Sequence, residues 1–210
     1  MDFLRKHWYD LGGLFAIITV TGLCCFHAVI PNYQLLMWLS LVSLFLHQLE
    51  EYRIGGTFPG MANRVMFNSD KPDRFPLNTN SSLFVNVYFG WTVYLLAAVA
   101  GERAIWLGLA TIIVSIANTF SHTIIFNIKG KTFYNAGLVT SWLFFVPCIY
   151  FFFKIVYSEN LITSFDYLIG IPLGIAFNIL GIIKPMTWFA DKNTSYIFEQ
   201  RNLLLQDRKK

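Results

Sequence analysis

The chain has 210 residues, of which 55% are hydrophobic and 13% are charged, with a formal net charge of +4. A mean hydropathy of +0.51 is unlike that of soluble globular proteins. A helix that crosses a bilayer needs about 20 mostly apolar residues. Six segments of the sequence meet this requirement: residues 11–30, 33–50, 83–100, 104–126, 136–157 and 166–184. We therefore predict an all-α, polytopic membrane protein with about six transmembrane helices that form a single domain over residues 1–210.

The basic residues lie mostly on one side of these segments. If the chain crosses the bilayer six times, 14 of its 16 lysines and arginines fall on the side of the two termini, and the other side receives Arg103 and Lys154. Because cytoplasmic loops of membrane proteins are enriched in Lys and Arg, we predict that both termini are cytoplasmic. The expected location is a bacterial-type inner membrane or a plasma membrane.

Two segments outside the predicted spans are long enough to cover a site or a surface. Residues 52–82 form a loop of about thirty residues, and loops of this length are usually functional or disordered. We predict either a lid over a site or a solvated connector there. Residues 185–210 mix aromatic and aliphatic side chains with charges, which indicates an amphipathic cytoplasmic tail that lies on the membrane surface as a helix.

The stretch His47-Gln48-Leu49-Glu50-Glu51 ends an apolar run with one base and two acids. On a helix, Glu50 and Glu51 lie three and four residues beyond His47 and share its face. Ionisable groups inside a membrane are energetically costly and commonly mark functional sites. A metal ion, a reaction that needs the charges, or release to water at the membrane surface would offset that cost.

The predicted topology also assigns a depth in the bilayer to each polar residue. Seven polar residues from four spans fall in the cytoplasmic quarter: His47, Glu50, Glu51, Asn86, Asn118, His122 and Asn135. Asn118 and His122 are four residues apart and share one helical face. We therefore predict a shared polar pocket that opens to the cytoplasm, whereas His27 belongs to the opposite side of the membrane.

Two histidines with one or two carboxylates are a reasonable ligand set for zinc, iron or manganese. The candidate metal ligands are His47, Glu50, Glu51 and His122, and the candidate catalytic residues are Glu50, Glu51 and Asn118. A metal-free site is the alternative, in which one glutamate activates water while the histidines polarise the substrate. A structural interpretation also stays open, in which the glutamates pair with Arg53 or with solvent at an ordinary helix end.

At these positions the chain resembles the HXXEE family of membrane proteins, named for a motif that stands here as His47-Gln48-Leu49-Glu50-Glu51. The similarity extends through Asn118 and His122 and through Tyr134-Asn135-Ala136-Gly137-Leu138-Val139-Thr140 to Pro147, and it covers roughly residues 40–150. Ala136 departs from the proline that family members often have before the glycine. The resemblance implies a membrane protein with an enzymatic or metal-binding role, suspected from its polar motifs, and does not supply a reaction.

These observations lead to a functional hypothesis. We expect a membrane-embedded, metal-dependent enzyme of hydrolase type that acts on a lipid or lipid-linked substrate at the cytoplasmic leaflet. His47, one of the two glutamates and His122 would hold the metal or its activated water. The other glutamate would act as general base, and Asn118 would orient a histidine or stabilise an oxyanion. The alternatives are an ion-coupled transporter or carrier and a non-enzymatic accessory protein; no nucleic-acid partner is expected, and the oligomeric state stays open.

Overall fold

The computed structural model describes residues 2–208, and it is built from helices with no strand in that range. Lys209 and Lys210, which belong to the predicted cytoplasmic tail, lie outside the described residues. The main helices of the described chain are α1 (Asp2–Val29), α2 (residues 32–54), α3 (residues 58–66), α4 (residues 79–100), α5 (residues 105–130), α6 (Leu138–Ser158) and α7 (Ser164–Trp188).

Helices α1, α2 and α4 to α7 form a bundle with two distinct ends. The connections after α1, α4 and α6 meet at one end, which we call the turn end. There the Asn32 side chain donates a hydrogen bond to Glu159 Oε1 (2.8 Å), and the Gln34 side chain donates to the carbonyl of Ala98 (3.1 Å). The N-terminus, the connections after α2 and α5, and the chain beyond α7 meet at the opposite end, which we call the loop end.

Four helical stretches are long and apolar enough to cross a membrane: Asp2–Val29, Thr79–Gly130, Leu138–Ser158 and Ser164–Trp188. The second of them is divided at Gly101, whose φ of 55° turns the chain. Because α4 and α5 then run side by side in opposite directions, the Tyr94 hydroxyl donates to the carbonyl of Thr111 (3.0 Å). Helix α2 is not among the four because polar side chains interrupt its apolar run. These apolar helices indicate a membrane protein.

The bundle interior changes character along its length. Next to the turn end it is filled by a mainly apolar cluster that includes Tyr33, Met37, Leu109, Ile112 and Phe152. A second apolar cluster, with Leu44, Phe45, Val114 and Phe145, occupies the middle. A third cluster, with Trp8, Tyr52 and Leu77, closes the loop end. The buried side chains of His47, Glu51 and His122 lie between the second and third clusters.

The loop over residues 52–82 is folded onto the bundle and is not a solvated connector. The buried Asn63 amide donates to the carbonyls of Pro72 (2.9 Å) and Leu77 (2.8 Å) and accepts from the Leu77 amide (2.9 Å). The loop ends at Asn78, which caps α4 in a reciprocal capping box with Ser81. The contact of this loop with the bundle is made by Phe58, whose ring centroid lies 5.7 Å from that of His122.

The chain beyond α7 also differs from the expected surface helix. After Trp188 the described residues contain only two short 3₁₀ turns, Gln200–Asn202 and Leu205–Asp207. The reason is a specific docking contact: the buried Asn202 amide donates to the carbonyls of Tyr52 (3.1 Å) and Gly56 (2.8 Å). These carbonyls lie at the end of α2 and just after it, so the tail packs against the loop end of the bundle.

Candidate metal centre

Helix α2 brings His47 and Glu51 together at its loop end. The last part of the helix, Glu50–Ile54, is wound as a wider π-helix, a feature that is frequent at functional sites. The four-residue spacing puts Glu51 Oε1 3.5 Å from His47 Nε2, and both side chains are buried. The predicted common face of these two residues is thus present.

Helix α5 supplies the third member of the cluster. His122 lies in another π-helical stretch, Ser121–Ile125, and is fully buried. Its Nε2 atom lies 3.2 Å from the same Glu51 Oε1 atom. One ligand-type atom from each of His47, Glu51 and His122 lies within 4.8 Å of the other two, so these three residues form a group that can hold a metal ion.

The hydrogen bonds behind His122 determine which of its ring nitrogens carries hydrogen. The Asn135 amide nitrogen donates to the carbonyl of His122 (2.8 Å) and to Asn127 Oδ1 (2.8 Å). Asn135 Oδ1 therefore faces His122 Nδ1, at 2.6 Å, and a carbonyl oxygen can only accept. His122 must donate from Nδ1, which leaves a lone pair on Nε2 in the neutral ring.

The same reasoning applies to His47. The Thr140 hydroxyl donates its single hydrogen to Glu50 Oε2 (2.6 Å), so its oxygen accepts from His47 Nδ1 at 3.1 Å. The Ser141 hydroxyl donates to the carbonyl of Gly137 (2.7 Å) and is likewise only an acceptor toward His47. The Nε2 atom of the neutral His47 ring is then the one with the lone pair.

Glu50 points away from this cluster. Its carboxylate accepts hydrogen bonds from the backbone amides of Val139 (3.4 Å) and Thr140 (2.8 Å), in the first turn of α6, from the Thr140 hydroxyl, and from the Tyr134 hydroxyl (3.1 Å). Burial raises the pKa of Tyr134 and the neighbouring Glu50 charge raises it further, so the hydroxyl stays a donor. An anion at a helix N-terminus with four donors is well satisfied where it is.

Three hydrogen-bond acceptors converge in the cluster with no donor between them. The lone pairs of His47 Nε2 and His122 Nε2 face one carboxylate oxygen, and neither Nε2 atom has a hydrogen-bond partner among the described residues. Buried polar atoms are nearly always satisfied, and three acceptors that converge repel one another unless a cation or a proton lies between them. Two ligands of a tetrahedral zinc ion lie roughly 3.3 Å apart. The separations of 3.2 and 3.5 Å from Glu51 Oε1 fit this spacing. The three ligand atoms as a group lie within 4.8 Å of one another, so the two histidines would draw closer together around an ion.

A cavity of about 50 Å³ adjoins the cluster. Its polar wall contains His47, Glu51, Asn86 and Asn118, and its other walls are mainly apolar. Asn86 is held by Gln48, which donates to its Oδ1 (3.0 Å), whereas no side-chain hydrogen bond of Asn118 is present within residues 2–208. The free Asn118 amide is therefore available to a molecule in the cavity.

The predicted polar residues thus lie in one region, near the loop end of the bundle, but they make different contacts there. His47, Glu51 and His122 form the three-atom cluster, Asn135 supports it, and Asn86 and Asn118 line the cavity. Glu50 is the predicted ligand whose carboxylate turns elsewhere. His27 lies exposed at the turn end and bonds to the carbonyl of Cys24 (3.1 Å).

Sequence reasoning assigned no role to Thr140, Ser141 or Tyr134, although all three organise the site. Their hydroxyl groups contact His47 or Glu50 from the start of α6 and from the connection before it, some ninety residues along the chain. Hydroxyl side chains are common in apolar helices, so composition alone does not distinguish them. The available signal was the stretch from Tyr134 to Thr140, over which the family resemblance continues.

Comparison with known proteins bears on this same region. Neither the curated proteins nor the solved structures contain a match to the chain. Residues 38–152 match the family described as "protein of unknown function with HXXEE motif". The matched range includes His47, Glu50, Glu51 and His122, together with the Asn135 and Thr140 residues that support the two rings. The chain therefore belongs to the HXXEE family.

Proposed function

We propose that this protein is a metal-dependent membrane enzyme in which His47, Glu51 and His122 bind one transition metal ion. The observation that carries the proposal is the convergence of two unpartnered Nε2 atoms on one buried carboxylate oxygen. Sets of two histidines and one carboxylate bind zinc, iron or manganese and leave coordination positions open. The hydrogen bonds from both Nδ1 atoms supply the outer support that metal-binding histidines usually have.

The proposed chemistry is hydrolysis. A metal ion at this site would lower the pKa of a bound water toward neutrality or polarise a substrate oxygen. The Asn118 amide faces the same cavity and would donate to the oxygen on which charge develops. We assign Glu51 as the metal ligand. Glu50 positions Thr140 and is therefore not proposed as a general base.

The proposed setting is the cytoplasmic leaflet of a bacterial-type inner membrane or a plasma membrane. We infer six crossings, by α1, α2, α4, α5, α6 and α7, with both termini and the loop end in the cytoplasm. The uneven distribution of lysine and arginine supports this orientation. The meeting of three short connections at the turn end supports the number of crossings.

A lipid or lipid-linked molecule is the proposed substrate. The cavity beside the cluster is bounded by Phe89 of α4 and Ile182 of α7. The neighbouring α7 residues Ile179, Leu180 and Ile183 are exposed apolar side chains, as expected for a helix that faces lipid. An amphiphile could place its reacting group at the polar wall, near Glu51, and its apolar chain against the side chains of α4 and α7.

The transporter alternative needs a polar path through the bundle. Between the cavity and the turn end, Met37, Leu109 and Phe152 are fully enclosed among apolar side chains. The buried polar side chains described there include the hydroxyls of Ser40, Ser43, Thr111 and Ser115, none of which carries a charge. An accessory protein with a closed packing cluster would leave no cavity and no unpartnered ring nitrogens. The enzyme proposal is therefore favoured over both.

Elemental analysis of the purified protein tests the metal site. The chain has four histidines, which allows a matched design. Wild-type protein is expected to carry one equivalent of a transition metal, and His47→Ala and His122→Ala are each expected to lose it. His7→Ala and His27→Ala, which change a half-buried and an exposed histidine away from the site, should retain it. The proposal would be contradicted if folded wild-type protein bound no metal after incubation with zinc, iron and manganese.

A second experiment addresses the reaction itself. Metal-loaded wild-type protein and the His122→Ala variant are incubated with a total lipid extract in detergent, and the lipids are compared by mass spectrometry. Hydrolysis products that form only with the wild-type protein, and that disappear after chelation, are the expected result. The absence of any metal-dependent lipid change would remove the hydrolase assignment while leaving the metal site intact.

Replacing Thr140 with valine is expected to lower the metal affinity by about tenfold to a hundredfold, as seen for outer supports of metal ligands. Valine has a similar shape but cannot accept from His47 Nδ1 or donate to Glu50. Thr140→Ser keeps the hydroxyl and is the matched control. Zinc affinities from chelator competition report the effect, and equal affinities in the two variants would contradict the assigned role of the hydroxyl.

A further inference from the structure

A groove of about 550 Å³ lies at the loop end, separate from the cavity beside the metal cluster. One part of its lining comes from the end of α5 and the connection after it, and includes Lys129, Lys131 and Thr132. Another part comes from α3 and the C-terminal tail and is mainly apolar, with Met61, Val65, Leu204 and Leu205. Cations beside aliphatic side chains make this an amphipathic groove.

The two lysines differ from most other cations at this end of the protein. Six loop-end cations of the described residues have a carboxylate partner: Arg5, Arg53, Arg64, Arg74, Lys192 and Arg201. Lys129 and Lys131 have none among residues 2–208, and no carboxylate lines the groove. The groove therefore has an uncompensated positive charge that is complementary to an anion.

Large apolar side chains surround these lysines at the surface. Phe133 is 99% exposed, Leu205 is 81% exposed and Ile128 is 70% exposed. Such side chains are costly in bulk water but favourable at the boundary between lipid headgroups and acyl chains. Cations beside exposed apolar groups indicate the depth at which phospholipid headgroups lie.

We propose that this groove binds the phosphate-bearing headgroup of an anionic phospholipid from the leaflet at the loop end. Lys129 and Lys131 pair with the headgroup, and an acyl chain lies along the aliphatic side of the groove. The inference rests on the proposed position of the loop end at a lipid surface. It adds an anionic class of lipid to the molecules that this end of the protein recognises.

The groove is also connected to the metal cluster through two residues. Tyr134 and Asn135 both line it, and on their inner sides Tyr134 donates to Glu50 while Asn135 accepts from His122. A headgroup in the groove is thus separated from the metal ligands by a single layer of side chains.

Native mass spectrometry of the full chain in detergent tests the proposal. The protein is incubated with equal amounts of phosphatidylglycerol and phosphatidylcholine that have the same acyl chains, and the bound lipids are counted. Wild-type protein is expected to prefer phosphatidylglycerol by at least about fivefold, the factor associated with one lysine near an anionic surface. The Lys129→Gln/Lys131→Gln variant is expected to lose the preference, and each single variant to lose part of it.

The matched control is Lys6→Gln/Lys184→Gln, which removes two exposed loop-end lysines that do not line the groove. An equal loss in this control, or an unchanged preference in the groove variant, would overturn the proposal. Displacement by water-soluble glycerol phosphate at the concentration of the lipid would also overturn it, because the site would then take a free phosphate. Bound metal is measured in the same samples, so the lipid site and the metal site can fail separately.

Discussion

Replacing Glu51 with glutamine is expected to abolish metal binding and, at the same time, to stabilise the metal-free protein. The amide keeps the shape of the carboxylate but offers an NH₂ group that can donate to the unpartnered Nε2 atoms of His47 and His122. The repulsion among three acceptors is relieved, while the anionic ligand is lost. Without metal, the variant should unfold at a higher temperature than metal-free wild-type protein.

Thermal unfolding of the purified protein with and without zinc measures both effects. A ligand at about a thousand times its Kd stabilises a protein by about 4 kcal/mol, which for a chain of this size corresponds to a rise of roughly 10 °C. Wild-type protein should show this rise, and Glu51→Gln should show none.

The adjacent glutamate provides the control for this experiment. Glu50→Gln leaves the three cluster atoms in place but turns an amide NH₂ toward groups that themselves donate, such as the Thr140 amide. We expect this variant to be less stable than wild-type protein by about 1–3 kcal/mol and still to respond to zinc. A zinc response that is lost in Glu50→Gln and kept in Glu51→Gln would reverse the assignment of the two carboxylates.

Replacing Gly137 with alanine is expected to disrupt the cluster from the opposite side. Gly137 has a φ of 107°, which alanine adopts only with strain, and an added Cβ atom would overlap the His122 ring, with His122 Nδ1 only 2.8 Å away. The combined cost of the backbone strain and the overlap is roughly 2–5 kcal/mol. His122 would have to leave its position between Asn135 and Glu51.

Gly22→Ala is the matched control, because a Cβ atom at Gly22 meets no atom of residues 2–208 within 4 Å. Alanine is the better helix former by up to about 1 kcal/mol, so this variant should be as stable as wild-type protein or slightly more stable. Thermal unfolding and zinc content are measured for both variants. Wild-type stability and full zinc content in Gly137→Ala would contradict the described packing of His122.

The all-helical architecture follows from the sequence, because long apolar runs satisfy their own backbone groups as helices in an apolar setting. The neighbourhood of His47 and Glu51 also follows from it, since a four-residue spacing puts two side chains on one helical face. The prediction that Asn118 and His122 belong to the same region came from a depth estimate, and the structure does bring them next to α2.

Only the tertiary structure separated the roles of the two adjacent glutamates. Both lie on the face of His47 by sequence, and nothing local distinguishes them. Glu50 is drawn to the first turn of α6 by donors from residues 134–140, whereas Glu51 is left facing His122. Which carboxylate meets which helix depends on how α2, α5 and α6 pack, and contacts across such sequence distances have no local signal.

Tertiary packing also determined the conformation of the two long segments at the loop end. The sequence of residues 52–82 fits a lid or a solvated connector, and that of the tail fits a surface helix. In the structure Phe58 of the loop packs against the His122 ring, and the Asn202 amide ties the tail to Gly56. The sequence does not show whether an asparagine lies in a turn, at a helix cap or in a buried contact, because its amide can bond to backbone groups in all three environments. The sequence by itself thus determined the helices and the ingredients of a metal centre, and the tertiary structure determined which of those ingredients meet.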